Sequence, residues 1–300
     1  MKKTSSRLKR NLYIIGLKRS GTTIFWETFR QDKRFVCFDE PFHPEIRYYT
    51  RSGVNNRKGT LDEYISNSSL IERYWSPIQP FEEIYPDFLG HQVDYLRALT
   101  GISPNVCIDF VRCHAKIRHL REIDPDGLVI HLVRDPRAFV TSHLNPYGRW
   151  LSPELPARFF EYDGWFDFWQ YQTIANLLGY KGHAHERLLQ LWKYFTETAE
   201  GQYPDLTVQF EHFALHPEKI VRIIYELIDL RYEQLDYSKI HMPNPPYNPA
   251  HESWWKAIKR YDITPGFLYK GFDAFSYVDN DNVSAGSTMT NEDRAKIVAL

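Results

Sequence analysis

Asn11-Leu12-Tyr13-Ile14-Ile15-Gly16-Leu17-Lys18-Arg19-Ser20-Gly21-Thr22-Thr23 decides the architecture of this chain. Residues 11–15 read as a short buried strand, because the apolar run is too brief for a helix and stops at a glycine. Gly16 to Gly21 forms a loop, and from about residue 22 to 31 a helix is predicted, with Phe25 and Phe29 one turn apart. Strand, glycine-bounded loop and helix in this order make a phosphate cradle, since loop amides and the positive end of the helix converge on an anion. The same residues also fit a plain glycine turn with two solvated cations, Lys18 and Arg19.

Outward from this stretch the chain keeps alternating. Short apolar runs at 35–38, 107–111, 128–133 and 206–210 read as further strands. Helices are predicted at about 115–123 and after Pro217, where Ile220, Ile224, Leu227 and Ile228 share a face. Continuous apolar strands alternating with helices imply a parallel sheet covered on both sides. The expectation is an α/β, P-loop-like three-layer fold with a central sheet of about five parallel strands and helical insertions. A single domain over 1–278 is expected, with insertions near 45–105 and 145–180 and a polar tail at 279–300.

Composition narrows the function. The chain has 300 residues, 43% hydrophobic and 25% charged, which suits a globular protein with a sizeable core. The formal net charge of -1 gives no support for broad binding to nucleic acid or an anionic membrane surface, so any anion site must be local. The run Leu12 to Ile15 is far too short for a signal-peptide core, and no later stretch approaches the ~18 apolar residues of a membrane helix. A soluble, cytoplasmic protein without a membrane span is therefore expected. Cys37, Cys107 and Cys113 are an odd number in apolar, strand-like settings, as buried thiols in a reducing compartment would be.

The spacing of Gly16 and Gly21 matches a Walker A loop, but Thr22 stands where its lysine belongs. A nucleotide triphosphatase or kinase thus loses its main phosphate ligand, and Lys18 and Arg19 offer their charges from inside the loop instead. Arg19-Ser20-Gly21-Thr22-Thr23 resembles the 5'-phosphosulfate loop of the sulfotransferases that use 3'-phosphoadenosine 5'-phosphosulfate, where lysine or arginine precedes Ser-Gly-Thr-Thr. In that family the basic residue contacts the bridging oxygen or the sulfuryl group, a role the resemblance passes to Arg19. It makes Lys18, Ser20, Gly21, Thr22 and Thr23 the rest of the donor loop, although Lys18 falls where the family often has proline.

A second element follows in Leu132-Val133-Arg134-Asp135-Pro136-Arg137, with Ser142 eight residues after Arg134. Pro136 suits the first turn of a helix. Arg134 offers a planar fork of donors and Ser142 a hydroxyl, as a phosphate monoester requires. Read singly, Arg134 fits a strand-end salt bridge with Asp135, and Ser142 a capping or surface hydroxyl. Together they resemble the family's 3'-phosphate element. Weaker likenesses occur in Gln209-Phe210-Glu211-His212-Phe213 and in Ser253-Trp254-Trp255, the latter similar to a segment that closes over the nucleotide in some carbohydrate-type members. The cytosolic small-molecule members usually place a tryptophan, stacked on adenine, directly after the two threonines. Here Ile24 holds that position and Trp26 follows, so Trp254, with Trp255, is the candidate for adenine stacking.

Sulfuryl transfer needs positioned cations and a base for the incoming hydroxyl, and no metal is strictly required. Phe38-Asp39-Glu40-Pro41-Phe42-His43 resembles the Glu-Pro element of carbohydrate, heparan and tyrosylprotein sulfotransferases, which makes Glu40 the expected base. Its bland alternative is a carboxylate paired with Arg19 or Lys18. His114, near the position of the histidine base of small-molecule members, is the second candidate, and His43 the third. Trp165 and Trp169, in the aromatic run 162–171, read as core at helical spacing, or as stacking platforms for an acceptor together with Tyr147 and Trp150. His183 and His185 lack the further ligands a metal would need.

The resemblance covers roughly 11–230 and implies transfer from 3'-phosphoadenosine 5'-phosphosulfate, leaving adenosine 3',5'-bisphosphate, to a hydroxyl of a carbohydrate or another small molecule. The alternatives are a P-loop nucleoside or sugar kinase, with Asp135 as the nearest Walker B-like carboxylate, and a non-catalytic binding module of the same fold. Neither acceptor identity nor oligomeric state is legible in the residues.

Overall fold

The structure, a computed structural model, describes residues 11–54, 56, 59–144, 169–241, 258–263 and 265–268. Five strands, β1 (Leu12–Gly16), β2 (Val36–Asp39), β3 (Val106–Phe110), β4 (Leu128–Val133) and β5 (Leu206–Gln209), form one sheet in the order β2-β3-β1-β4-β5. Every pairing is parallel, and β1 lies centrally, with Ile14 opposite Asp109 on one side and Ile130 on the other. The expected α/β parallel sheet is thus the observed one, with boundaries moved by a residue at most strands.

The sheet's two faces explain why its strands are apolar throughout. Tyr13 and Ile15 point into a core with Phe38, Ile108, Phe110 and Val129, while Leu12 and Ile14 point into another with Cys37, Cys107, Ile130 and Val208. A strand covered on both faces has no polar side to present, so alternation disappears. Helix α1 (Thr22–Arg30) packs on the second face through Phe25, Trp26 and Phe29, each fully buried. Burying such side chains is worth about 1.5–3 kcal/mol apiece, and this fixes the axis of α1 and hence the loop that precedes it.

Between β2 and β3 the chain forms α2 (Ile46–Ser52), α3 (Asp62–Ser66), α4 (Ser68–Tyr74), a 3-10 turn at Pro80–Glu82, and α5 (Gly90–Thr100). They supply Ile46, Tyr64, Ile71, Tyr95 and Leu99 to the first core. The later helices are α6 (Ile117–Ile123), α7 (Pro136–Leu144), α8 (Trp169–Leu177), α9 (Ala184–Glu200), α10 (Phe210–Leu215) and α11 (Pro217–Leu227). On α11 the buried stripe is Ile220, Val221, Ile224 and Tyr225, continued by Ile228, whereas Leu227 is half exposed. The sequence expectation misplaced Leu227, because the buried side of α11 is centred on Val221, Ile224 and Tyr225, which leaves Leu227 at the edge of the stripe beyond Ile220. Among the described residues no helix is long and apolar enough to cross a membrane.

Candidate active site

In an open parallel sheet the strand order reverses beside the first strand, and ligands bind outside the carboxyl ends there. All five carboxyl ends carry residues of interest: the 16–21 loop after β1, Glu40 after β2, Arg112 after β3, Arg134 after β4 and Phe210 with Glu211 after β5. The loop is shaped by two glycines. A side chain at Gly16 would stand 2.8 Å from the Leu132 carbonyl, and Gly21, at φ 89°, would drive one to 2.3 Å from the Phe210 ring. Gly21 caps α1, whose first-turn amides lack intrahelical acceptors and so present donors to the loop. Within the loop the Ser20 amide donates to the Leu17 carbonyl at 2.9 Å.

Arg19 and Glu40 both hold left-handed backbone conformations, at φ 71° and φ 47°. Non-glycine residues there cost of order 1 kcal/mol, and such outliers gather at functional sites. Arg19 is exposed, Lys18 and Ser142 are partly buried, Ser20 and Thr22 are buried, and Thr23 is exposed.

The two expected anion elements meet. Nε of Arg19 donates to Oγ of Ser142 at 3.1 Å, and Nη1 of Arg134 donates to the Arg19 carbonyl at 2.6 Å. Arg134 lies over the Phe210 ring, 5.8 Å from its centroid, and Trp192 Nε1 donates to the Arg134 carbonyl at 2.9 Å. Nε of Arg134 is buried with no acceptor among the described residues. Burial presses its pKa down, Glu211 and Asp135 oppose the shift, and Arg19 adds to it. A desolvated guanidinium short of acceptors is a natural partner for an anion.

The salt bridge of Asp135 is with Arg137, and its effect on Arg134 is a longer-range one. Its carboxylate faces Arg137 at 2.8 Å, both fully buried, and its amide donates to both oxygens of Glu211 at 3.2 Å. Burial pushes the Glu211 carboxyl up to about 8, with Asp135 adding to the shift and Arg134 opposing it. A carboxylate locked in this pair is unsuited to the Walker B role considered for it.

The salt bridge of Glu40 is with Arg112, whose Nη1 donates to Oε2 at 2.8 Å. Burial works to raise the Glu40 carboxyl, but Arg112, aided by Lys18 and His43, outweighs it and holds the group below its ordinary value. Beside it, Asp39 and Asp109 stand opposite each other in register, both raised by burial first and by neighbouring carboxylates second. His43 is pushed down to about 4, chiefly by burial and then by Arg112, and its Nδ1 accepts the Glu45 amide at 3.1 Å.

His114, the second base candidate, is sealed inside: it is 1% exposed, against Phe195 and His131. Burial keeps its ring neutral, and such a ring cannot touch an acceptor in this arrangement. Trp169 is 60% exposed and not core, while Tyr171, two residues on, is buried. His183 and His185 stack, and no cluster of three or more potential metal ligands occurs among the described residues. The three cysteines are buried free thiols. Tyr147, Trp150, Trp165, Ser253, Trp254 and Trp255 lie outside the described residues.

Sequence reasoning missed Arg112, together with Glu83 and Gln170 that reach it from the insertions. The available signal for Arg112 was an arginine directly behind a buried strand. Glu83 and Gln170 carried none.

Among solved structures, a sulfotransferase from Alicyclobacillus acidocaldarius is 14% identical, with a TM-score of 0.48 over 88% of this chain and 98% of that one. The sulfotransferase domain from the Synechococcus PCC 7002 olefin synthase is 14% identical, with a TM-score of 0.43 over 89% of this chain and 92% of its own. No curated protein matches. A model of the sulfotransferase family matches residues 11–234, a span that takes in the glycine loop, Glu40, Arg112, Arg134 and Ser142, and the chain belongs to that family.

Proposed function

We propose that the protein transfers a sulfuryl group from 3'-phosphoadenosine 5'-phosphosulfate to a hydroxyl of a carbohydrate or another small molecule, within a single domain. The observation that carries this is the direct meeting of the loop with the Arg134 and Ser142 element. One nucleotide with phosphate at both ends can then engage both. Ser142 Oγ accepts from Arg19 and keeps its own proton to donate to the 3'-phosphate, beside Arg134, whose Nε is without an acceptor among the described residues. The loop amides, Lys18 and Arg19 take the 5'-phosphosulfate.

In the transfer the acceptor oxygen forms a bond to sulfur as the bond from sulfur to the bridging oxygen breaks. The hydroxyl proton passes to Glu40, which Arg112 keeps ionised, and adenosine 3',5'-bisphosphate departs with its new charge facing Arg19. Nothing in this step calls for a metal, in keeping with the family. Glu40-Pro41 favours carbohydrate-type hydroxyls, and the buried free thiols fit a reducing, cytoplasmic setting.

The test is incubation with radiolabelled sulfate donor and a panel of oligosaccharides, lipids and phenols, read by mass shift, alongside thermal shift. Stabilisation by adenosine 3',5'-bisphosphate and label transfer that Glu40→Gln abolishes are expected. Stabilisation by ATP with magnesium alone would point to a kinase, and donor binding without transfer to any acceptor would point to a binding module.

A further inference from the structure

Two carboxyls converge on Arg112, which is itself 6% exposed. Beside its 2.8 Å bond to Glu40, its Nε lies 3.7 Å from Oε1 of Glu83. Its Nη2 donates to Oε1 of Gln170 at 3.3 Å, and Nε2 of Gln170 donates to Oε2 of Glu83 at 2.8 Å. Glu83 is fully buried, in the segment after the 3-10 turn at Pro80–Glu82. That segment is clamped: Nζ of Lys116 donates to the carbonyls of Glu82, Tyr85 and Asp87 at 3.0, 2.8 and 2.8 Å. A fully buried carboxyl is costly, and donor binding makes no use of this one.

We propose that Glu83 is a positioning residue for the transfer reaction, sharing Arg112 with Glu40 and thereby setting the basicity of Glu40. The proposal rests on Glu40 acting as base. One buried guanidinium facing two carboxyls favours a state with a single proton between them. Burial raises Glu83 to about 8, Arg112 and Gln170 oppose the rise, and Glu40 adds to it. While Glu83 is neutral, the charge of Arg112 acts on Glu40 alone and leaves it a weak base. Once Glu83 ionises, Arg112 is divided between two anions and Glu40 binds a proton more tightly, so it takes the acceptor proton more readily.

The groups facing Glu83 are Arg112 and Cys113 behind β3, Lys116 in the following turn, Glu40, and Gln170 with Tyr171 on α8. Cys113 and Tyr171 are raised by burial and stay neutral, and Lys116 stays anchored on three carbonyls. Glu83 is thus the member of this set that titrates near pH 8. Both insertions then contribute to chemistry, the first through Glu83 and the second through Gln170.

The test is infrared titration of carboxyl groups in the full chain from about pH 6 to about pH 10, for wild type, Glu83→Gln and Glu211→Gln. Wild type is expected to lose two protonated carboxyls near pH 8, those of Glu83 and Glu211, so that Glu211→Gln keeps the Glu83 step and Glu83→Gln keeps only the Glu211 step. Absence of any Glu83-dependent signal overturns the proposal whatever the activity. With the first acceptor found in the panel, kcat of wild type should rise about 3- to 10-fold through pH 8, and Glu83→Gln should lose the rise with donor KM unchanged. Superimposable profiles overturn it. If Glu83→Gln does not fold, Gln170→Met must shift the step, and an unshifted step counts against the proposal equally. Failure of adenosine 3',5'-bisphosphate to stabilise any of these proteins would instead overturn the donor assignment, leaving the carboxyl titration to stand on its own result.

Discussion

Nε of Arg19 donates to Oγ of Ser142 across 3.1 Å although 123 positions separate them in the chain. The contact joins the β1 loop to α7, which the sheet sets side by side because β1 and β4 are paired strands. Arg19→Ala should lower sulfuryl transfer by about 100-fold or more, since a cation aimed at the leaving charge acts mainly in the transition state. Ser142→Ala should lower affinity for adenosine 3',5'-bisphosphate by about 10-fold, the worth of one hydrogen bond. Steady-state transfer assays and calorimetric titration separate the two effects, and Arg19→Ala with undiminished turnover would discard its role.

Arg134 is expected to serve binding more than chemistry. Arg134→Ala removes the donor to the Arg19 carbonyl and the cation over Phe210. Affinity for adenosine 3',5'-bisphosphate should fall by about 1.5–3 kcal/mol, the range for a hydrogen bond to a charged group, while kcat at saturating donor changes little. A loss confined to kcat would reverse the assignment.

Gly21 should tolerate no side chain. At φ 89° with the Phe210 ring 2.3 Å from a built methyl carbon, Gly21→Ala meets both a left-handed backbone penalty and a clash. A destabilisation of about 2–4 kcal/mol is expected in denaturant unfolding. Adding Phe210→Leu should relieve the clash and leave about 1–2 kcal/mol of backbone cost. If the double substitution is no more stable than the single, Phe210 is not the obstacle.

Glu83 and Glu211 should make stability decline from about pH 4.3 to about pH 8. Glu83 and Glu211 are both raised by burial to about 8, far above the ~4.3 of an unfolded chain. The folded state therefore holds protons the unfolded state has released. Their contribution is complete below the unfolded value and is lost as pH climbs through the folded one, at about 1.4 kcal/mol per pH unit for each group. Glu211→Gln should lessen the slope by about 1.4 kcal/mol per pH unit in urea unfolding at several pH values. An unchanged slope would mean that Glu211 is ionised in the native protein.

The loop and the Arg134 element were legible because their chemistry is local. A glycine turn, two loop cations, and an arginine eight residues before a serine each have a meaning fixed by neighbours in sequence. The partner of Glu40 was not legible. Lys18 and Arg19 were the nearer expectation, and Arg112 displaced them because β3 lies between β1 and β2 in the sheet, placing its carboxyl end beside that of β2. His114 lies buried for a related reason, since the turn that follows β3 packs on α9 through Phe195.

Sequence by itself determined the alternating strands and helices, the parallel sheet they imply, the glycine-bounded loop and the identity of the cations around it, because these follow from periodicity, glycine placement and charge within a few residues. Only the tertiary structure decided which polar groups meet: Arg19 with Ser142, Arg112 with Glu40 and Glu83, Asp135 with Arg137. Coulombic and hydrogen-bond partners are chosen by distance in space, and in a sheet whose strand order departs from chain order that distance is set by packing.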